Sequence, residues 1–519
     1  MRRVFMLLYD IDVNKGGITR VLFNRSKALS NRGYNVDLIT LDYKDNYKEI
    51  SNKLRKMGRL SKNVEILNVY DYYRHKNTEK KRGRKAKKLL SYYKNQSILD
   101  EKGYLIQDDE YETKRYARYF KNGRYVKYKK WDKKGKLSHI DFFDNNRNRY
   151  KREVFSSEGY LLREIFFDLN NNEPKQELLY TEDGFCYLNR WFNPEKGNLQ
   201  QQFLFDVRTN KGQVFKSNQE FHVYWLNELL QKEETKPFLI CDGVGSANKV
   251  LEVSKELAYR IYTIHSNHFS YPYKFGSPIK SNHVKVLENL ETEEALVALT
   301  PRQKDDIVHQ FGNYNNVFVI PNAVTEMDEF KGDKDGKLVT MVARYHEEKG
   351  IDEAIEAFRI VVNQIPDARL EIYGDGPHKE TLSSLIKDLS LEENVKLKGY
   401  TTNVEEVFGK ALFSLLTSKY EGLSVVTLES MANSTPLISY DVLYGSSDLI
   451  KDGYDGYLVE ERNKDIMAER IIHLLHHPDL AKEMGIRGKE KVLKNYSEEV
   501  VTNKWIELFE HLEDTGQKM

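Results

Sequence analysis

The sequence predicts two Rossmann-like α/β domains, with an antiparallel β-meander inserted into the first. Three observations predict it. The chain opens as strand, glycine turn, amphipathic helix and strand; short aromatic runs separated by turn pairs follow; strand–helix alternation then returns for the rest of the chain. A chain of 519 residues has room for roughly two to four domains.

Val4–Tyr9 reads as the first strand, Lys15-Gly16-Gly17 as the turn, Ile18 to about Asn31 as the helix and Val36–Leu41 as the second strand. The N-terminal apolar run is broken by Asp10 and Asp12, which makes it a strand and not a signal segment. Much of the tyrosine excess, 34 Tyr against 24 Phe, falls between about residues 70 and 225. There Asn122-Gly123, Lys134-Gly135, Asn145-Asn146, Glu158-Gly159, Asn171-Asn172, Asp183-Gly184 and Lys196-Gly197 recur at the spacing of hairpins. Strands at Phe238–Cys241, Arg260–His265, Glu294–Leu299 and Val317–Ile320 complete the first domain. The segment 331–337 reads as a charged linker. A second α/β domain follows, with strands at Leu338–Val342, Arg369–Tyr373, Val395–Leu397, Leu412–Leu416 and Pro436–Ser439. The expected boundaries are 1–75 with 216–330, the insert 76–215, the second domain 331–496, and a helix in 497–519 crossing back to the first domain.

Composition narrows the function. Charged residues make up 31% of the chain and mean hydropathy is −0.67, a heavily charged and not a membrane-spanning pattern. A net charge of +2 gives no global reason to expect nucleic acid. Cys186 and Cys241 are too few for a disulfide framework, which favours a reducing, cytoplasmic setting.

Two such domains place a ligand cleft at the carboxyl ends of their strands. In Glu421-Gly422-Leu423-Ser424-Val425-Val426-Thr427-Leu428-Glu429 a carboxylate follows an apolar strand, Ser424 can cap a helix, and a second carboxylate sits inside that helix. The first acid can face a sugar, the helix amides a diphosphate, and the second acid both hydroxyls of a ribose. Arg344 and Lys349 put two cations on the loop after the first strand of the second domain, suited to a departing diphosphate without metal. Gly374-Asp375-Gly376-Pro377 reads as a plain strand-to-helix turn, and Leu397-Lys398-Gly399-Tyr400 offers a strand end and an aromatic for a base. His265 ends an apolar strand facing the cleft, with His268 as the alternate. That HxxH lacks a third ligand, and Asp10-Ile11-Asp12 precedes a glycine turn, so no metal site is expected. Lys80, Lys81, Arg82, Arg84, Lys85, Lys87 and Lys88 form a basic run suited to a phosphate polymer or an anionic lipid surface.

Together the Glu421/Glu429 and Arg344/Lys349 elements resemble the second domain of the retaining GT-B glycosyltransferases of the large GT4 family, whose hallmark is a Glu, seven residues, Glu motif. The resemblance runs closer. Val13-Asn14-Lys15-Gly16-Gly17-Ile18-Thr19, Phe23-Asn24-Arg25-Ser26-Lys27, the aromatic meander, Lys398-Gly399-Tyr400-Thr401-Thr402 and Tyr444-Gly445-Ser446-Ser447-Asp448 look like the wall teichoic acid α-glycosyltransferases. The resemblance implies that Glu421 binds donor-sugar hydroxyls, Glu429 the ribose, Arg344 and Lys349 the diphosphate, and the Tyr400 neighbourhood the base. It further implies that Gly16 and Gly17 let backbone approach phosphate or acceptor, that Gly422, Leu423 and Ser424 line the donor site, and that His265 contacts the sugar. The reaction implied is metal-free, retaining transfer of glucose or N-acetylglucosamine (GlcNAc) from a UDP-sugar to a poly(glycerol-phosphate) or poly(ribitol-phosphate) chain. No cofactor is required. The implied setting is the cytoplasm or the inner membrane face, as a homo-oligomer; the resemblance permits a trimer. A related branch glycosylates serine-rich or Ser-Asp-repeat surface adhesins and is the rival reading. A glycogen-synthase-like enzyme would share the core but leaves the insert unexplained, and a lectin scaffold would not need the paired acids and cations together.

Overall fold

The computed structural model describes residues 2–13, 16–78, 83–111, 114–324 and 330–516. Among these residues the chain forms three sheets. The first is parallel, with Arg3–Leu8 in its interior. Asn35–Thr40 and Glu65–Asn68 lie on one side of it; Phe238–Cys241, Tyr259–Ile264, Ala295–Ala298 and Val317–Val319 lie on the other. Both faces are covered, so its strands are continuous apolar runs such as Val4-Phe5-Met6-Leu7 with no exposed surface.

The second sheet is an antiparallel meander from Leu105–Tyr111 to Lys211–Phe215, each strand pairing with the next in sequence. Its turns behave as their residues require: Asn122 and Gly123 both take positive φ, 50° and 73°, as a two-residue turn matched to strand twist demands. The meander does not begin the insert, however. Arg84–Gln96 is a helix, on which Leu89 and Leu90 pack against the turns at Gly184 and Gly159. At its other end the meander shares a core with the first sheet, where Leu179, Tyr187 and Leu204 meet Phe5, Tyr70 and Trp225.

The third sheet is parallel, in the order Val395–Gly399, Arg369–Tyr373, Asp335–Val342, Ala411–Leu416, Leu437–Tyr440, Gly456–Val459. Glu65–Asn68 and Gly456–Val459 are edge strands too short to stand out as apolar runs. The charged segment before the third sheet is not a free linker. Its strand begins at Asp335, and the ammonium of Lys334 donates to the carbonyls of Phe408 (3.2 Å) and Ala411 (2.9 Å) and to Thr435 Oγ1 (2.6 Å). A cation there meets the carbonyl end of the helix Val404–Lys410.

The last helix, Glu498–Gly516, lies against the first sheet through Trp505, Phe509 and Leu512. Arg25 stacks on Trp505, 4.4 Å from the ring centre. No helix among the described residues is long and apolar enough to cross a membrane.

Candidate active site

The loops that follow Tyr259–Ile264 and Ala411–Leu416 meet edge to edge. Ser266 pairs with Gly422 in an antiparallel bridge, and the Asn267 amide donates to the Glu421 carbonyl at 2.8 Å. Only glycine fits at 422, because a Cβ there would stand 2.4 Å from the His265 carbonyl oxygen. Asn267 locks the seam: its side-chain amide donates to Leu443 O (2.7 Å) and Tyr273 O (2.8 Å). Asn322 adds a bond to Leu423 O at 2.9 Å. Buried Leu423 and the Glu421 loop are thereby fixed against the first half of the molecule.

On that loop the Lys349 ammonium donates to Glu421 Oε1 at 2.7 Å. Lys349 is held by the turn Glu347–Lys349, and Thr417 Oγ1 bonds both its carbonyl (3.1 Å) and that of Gly350 (2.7 Å). Arg344 is not brought to this pair. Its guanidinium is 73% exposed and is engaged by Glu348. Seven residues beyond Gly422, Glu429 is buried in the helix Val425–Ala432, which Ser424 caps through the Thr427 amide at 3.3 Å. Burial pushes the Glu429 carboxyl up to about 7, against the opposing charge of Arg20. Arg20 reaches it from the helix Ile18–Asn31, with Nη1 2.7 Å from Oε1.

His265 Nε2 lies 2.8 Å from Asp242 Oδ1, and Arg25 Nη2 donates to that same oxygen at 2.5 Å. Asp242 is wholly buried. Burial opposes its ionisation, but the Arg25 charge and the His265 bond outweigh it and hold its carboxyl below the usual range. His268 stands behind the seam. It is stacked on Tyr444 and packs at a tilt against Phe269, and burial drives its imidazole down to about 3, as for an apolar packing residue.

Gly16 and Gly17 precede the helix bearing Arg20, and Gly17 takes φ 57° with open space around it. Tyr400 is half exposed and accepts a long bond, 3.4 Å, from Arg59 of the first half. The Asp-x-Asp acids are joined by one cation, Lys44, at 3.1 Å from Asp10 and 3.3 Å from Asp12. Among the described residues no cluster of three or more His, Cys, Asp or Glu could hold a metal. Of the basic run, Arg84, Lys87 and Lys88 are exposed on the first turns of the helix Arg84–Gln96. Lys80, Lys81 and Arg82, like Asn14 and Lys15, lie outside the described residues, as does the side chain of Lys85. Sequence reasoning missed Arg20, Arg25, Asp242 and Asn267. Asp242 at a strand end and Arg25 inside a quoted motif were the available signals.

Comparison with known proteins fits this geometry. The family model "Glycosyl transferases group 1" matches residues 324–491. The chain is 33% identical over 511 residues to the poly(ribitol-phosphate) α-N-acetylglucosaminyltransferase of Staphylococcus aureus, covering 98% of this chain and 100% of that one. It belongs to that glycosyltransferase family. The glycosyltransferase is also 26% identical to the poly(glycerol-phosphate) α-glucosyltransferase of Bacillus subtilis, over 89% of this chain and 68% of the relative. A crystal structure of a point mutant of S. aureus TarM, in complex with fondaparinux, α-GlcNAc-glycerol and UDP, superposes with TM-score 0.88 at 31% identity. It covers 98% of this chain and all of that one. The fold is therefore GT-B, two Rossmann-like units with an antiparallel sheet, and the protein is a hexosyltransferase of the teichoic acid α-glycosyltransferase group.

Proposed function

We propose that this glycosyltransferase moves glucose or GlcNAc from a UDP-sugar to hydroxyls of a polyol-phosphate wall teichoic acid chain, with retention. The observation that carries the reading is the Lys349–Glu421 pair, pinned by the Gly422 seam beside His265. In this role Lys349, joined by Arg344 once its side chain swings from Glu348, neutralises the diphosphate as the glycosyl–phosphate bond breaks. The acceptor hydroxyl attacks the anomeric carbon on the face the diphosphate leaves, and its proton passes to the departing phosphate oxygen. Glu421 positions sugar hydroxyls and forms no covalent intermediate. His265, oriented by Asp242, contacts the sugar, while Glu429 takes the ribose and Tyr400 the base. Gly16 and Gly17 admit the diphosphate or acceptor, and the basic segment 80–88 draws in the polymer. The setting is cytoplasmic, peripheral at the inner membrane face, with self-association through the inserted sheet.

The test is UDP release in EDTA by the purified protein, with UDP-glucose or UDP-GlcNAc, each with and without poly(glycerol-phosphate), poly(ribitol-phosphate) or a Ser-Asp-repeat peptide. Stimulation by a polyol phosphate supports the reading and names the sugar. Stimulation by peptide alone moves the enzyme to the adhesin-glycosylating branch.

A further inference from the structure

A cleft of about 500 Å³ opens beside the Lys349–Glu421 pair, and nothing in the proposed chemistry uses it. Its walls come from both halves: Tyr271, Pro272, Tyr273 and Lys274 from the first, and the loops around Glu348, Ser418, Tyr420, Tyr440 and Glu461 from the second. It touches the site on both catalytic loops, since Glu348 precedes Lys349 and Tyr420 precedes Glu421. These two are bonded, Tyr420 OH to Glu348 Oε2, at 2.9 Å.

Two properties of the lining define what it would hold. The floor carries buried polar atoms: Ser418 Oγ, which has no hydrogen-bond partner among the described residues, and the Tyr440 hydroxyl facing the Glu353 carboxylate. Ser418 is 1% exposed and Tyr440 2%. Burial, together with the charge and hydrogen bond of the facing Glu353 carboxylate, raises the Tyr440 hydroxyl above its usual range. Buried polar groups are almost always satisfied, so Ser418 Oγ calls for a partner supplied from the cleft, beside the remaining acceptor capacity of the Tyr440–Glu353 pair. Two hydroxyls and a carboxylate oxygen match a ligand rich in hydroxyl groups, and Glu353 would repel a phosphate placed on that floor. The walls are aromatic. Tyr273 and Tyr420 rings stand 4.5 Å apart, the Lys280 ammonium caps Tyr420 at 4.0 Å, and Tyr271 presents a ring that is 73% exposed. Such ring faces pack against the C–H surface of sugars and polyols. At the rim stand exposed Lys274 and Arg462, the latter 3.7 Å from Glu353 Oε1, with Lys419, Glu347 and Glu461 beside them; the cations suit phosphates on either side of a polyol unit.

We infer that this cleft is an acceptor subsite, binding one polyol unit of the chain next to the unit being glycosylated. The inference rests on the polyol-phosphate reading above. It makes the enzyme prefer chains over single units.

The test measures binding and turnover separately. Oligo(ribitol phosphate) and oligo(glycerol phosphate) are titrated by calorimetry into the donor-free full-length protein, its Tyr271→Ala variant and its Glu353→Gln variant. Affinity for the better oligomer falls about tenfold in each variant, the effect of losing one ring face or one good hydrogen bond. In the transfer assay KM for the chain rises by the same factor, with the donor KM and the kcat unchanged. Equal oligomer affinity in all three proteins, or no measurable binding by the parent, would overturn the subsite. Variant-sensitive binding without any transfer to polyol phosphate would overturn the functional reading and leave the subsite standing.

Discussion

The Arg20–Glu429 pair gives the donor site a pH dependence that one substitution should move. Burial raises the Glu429 carboxyl from 4.5 to about 7, with Arg20 pulling the other way. The folded state therefore holds that proton more tightly than the unfolded chain. Stability carries no penalty below the unfolded value and loses roughly 3 kcal/mol as pH rises from 4.5 through about 7, where the buried group must ionise. Binding runs the opposite way, because a carboxylate accepts both ribose hydroxyls and a protonated acid accepts them poorly. Donor affinity should thus weaken as pH falls through about 7. Removing a cation 2.7 Å away takes out the opposing term, so Arg20→Ala should raise the midpoint by roughly 1–3 pH units. The assay is calorimetric titration of UDP and 2′-deoxy-UDP over neutral and alkaline pH, since their affinity ratio cancels titration of the diphosphate itself. Above both midpoints the variant should bind UDP at least as tightly as the parent, because Arg20 no longer occupies the carboxylate. The same midpoint in both proteins would refute the assignment of Glu429 to the ribose.

Lys349→Ala or Glu421→Ala should lower kcat by about 10²–10³ or more with an unchanged circular dichroism spectrum; parent-like rates would remove both from the chemistry. Gly422→Ala drives a Cβ to 2.4 Å from the His265 carbonyl and should spread the seam, cutting kcat/KM for the donor on the order of 10²-fold. Asp242→Ala strands the buried Arg25 guanidinium and should cost roughly 3–5 kcal/mol in urea denaturation. Glutamate at Arg84, Lys87 and Lys88 should raise the acceptor KM and steepen no salt dependence of donor hydrolysis; equal loss in both assays would count against a polymer-binding role.

Local chemistry was legible in this sequence, and long-range pairing was not. Gly422 and Ser424 announce a tight strand-to-helix turn by residue type alone, and the eight-residue step from Glu421 to Glu429 marks two acids that such a turn can aim at one ligand. The Asn-Gly and Asp-Gly pairs give the hairpins for the same reason, since their φ preferences act within two residues. The helix Arg84–Gln96 escaped because five of its first seven positions are cationic or small, and its apolar stripe of Leu89, Leu90 and Tyr93 begins only afterwards. Arg25 and Asp242 stand 217 positions apart and meet only when the first sheet is assembled, so on the helix alone Arg25 reads as a solvated cation. Arg344 shows a contact that spacing does not reveal. Its five-residue spacing from Lys349 implies a shared target, yet the intervening turn delivers Glu348 to it first. The same turn places Glu348 against Tyr420, so movement of Arg344 toward a diphosphate would take the countercharge from Glu348, which lines the neighbouring cleft. On the proposed reading, the donor and acceptor sites would thus meet at one carboxylate, Glu348.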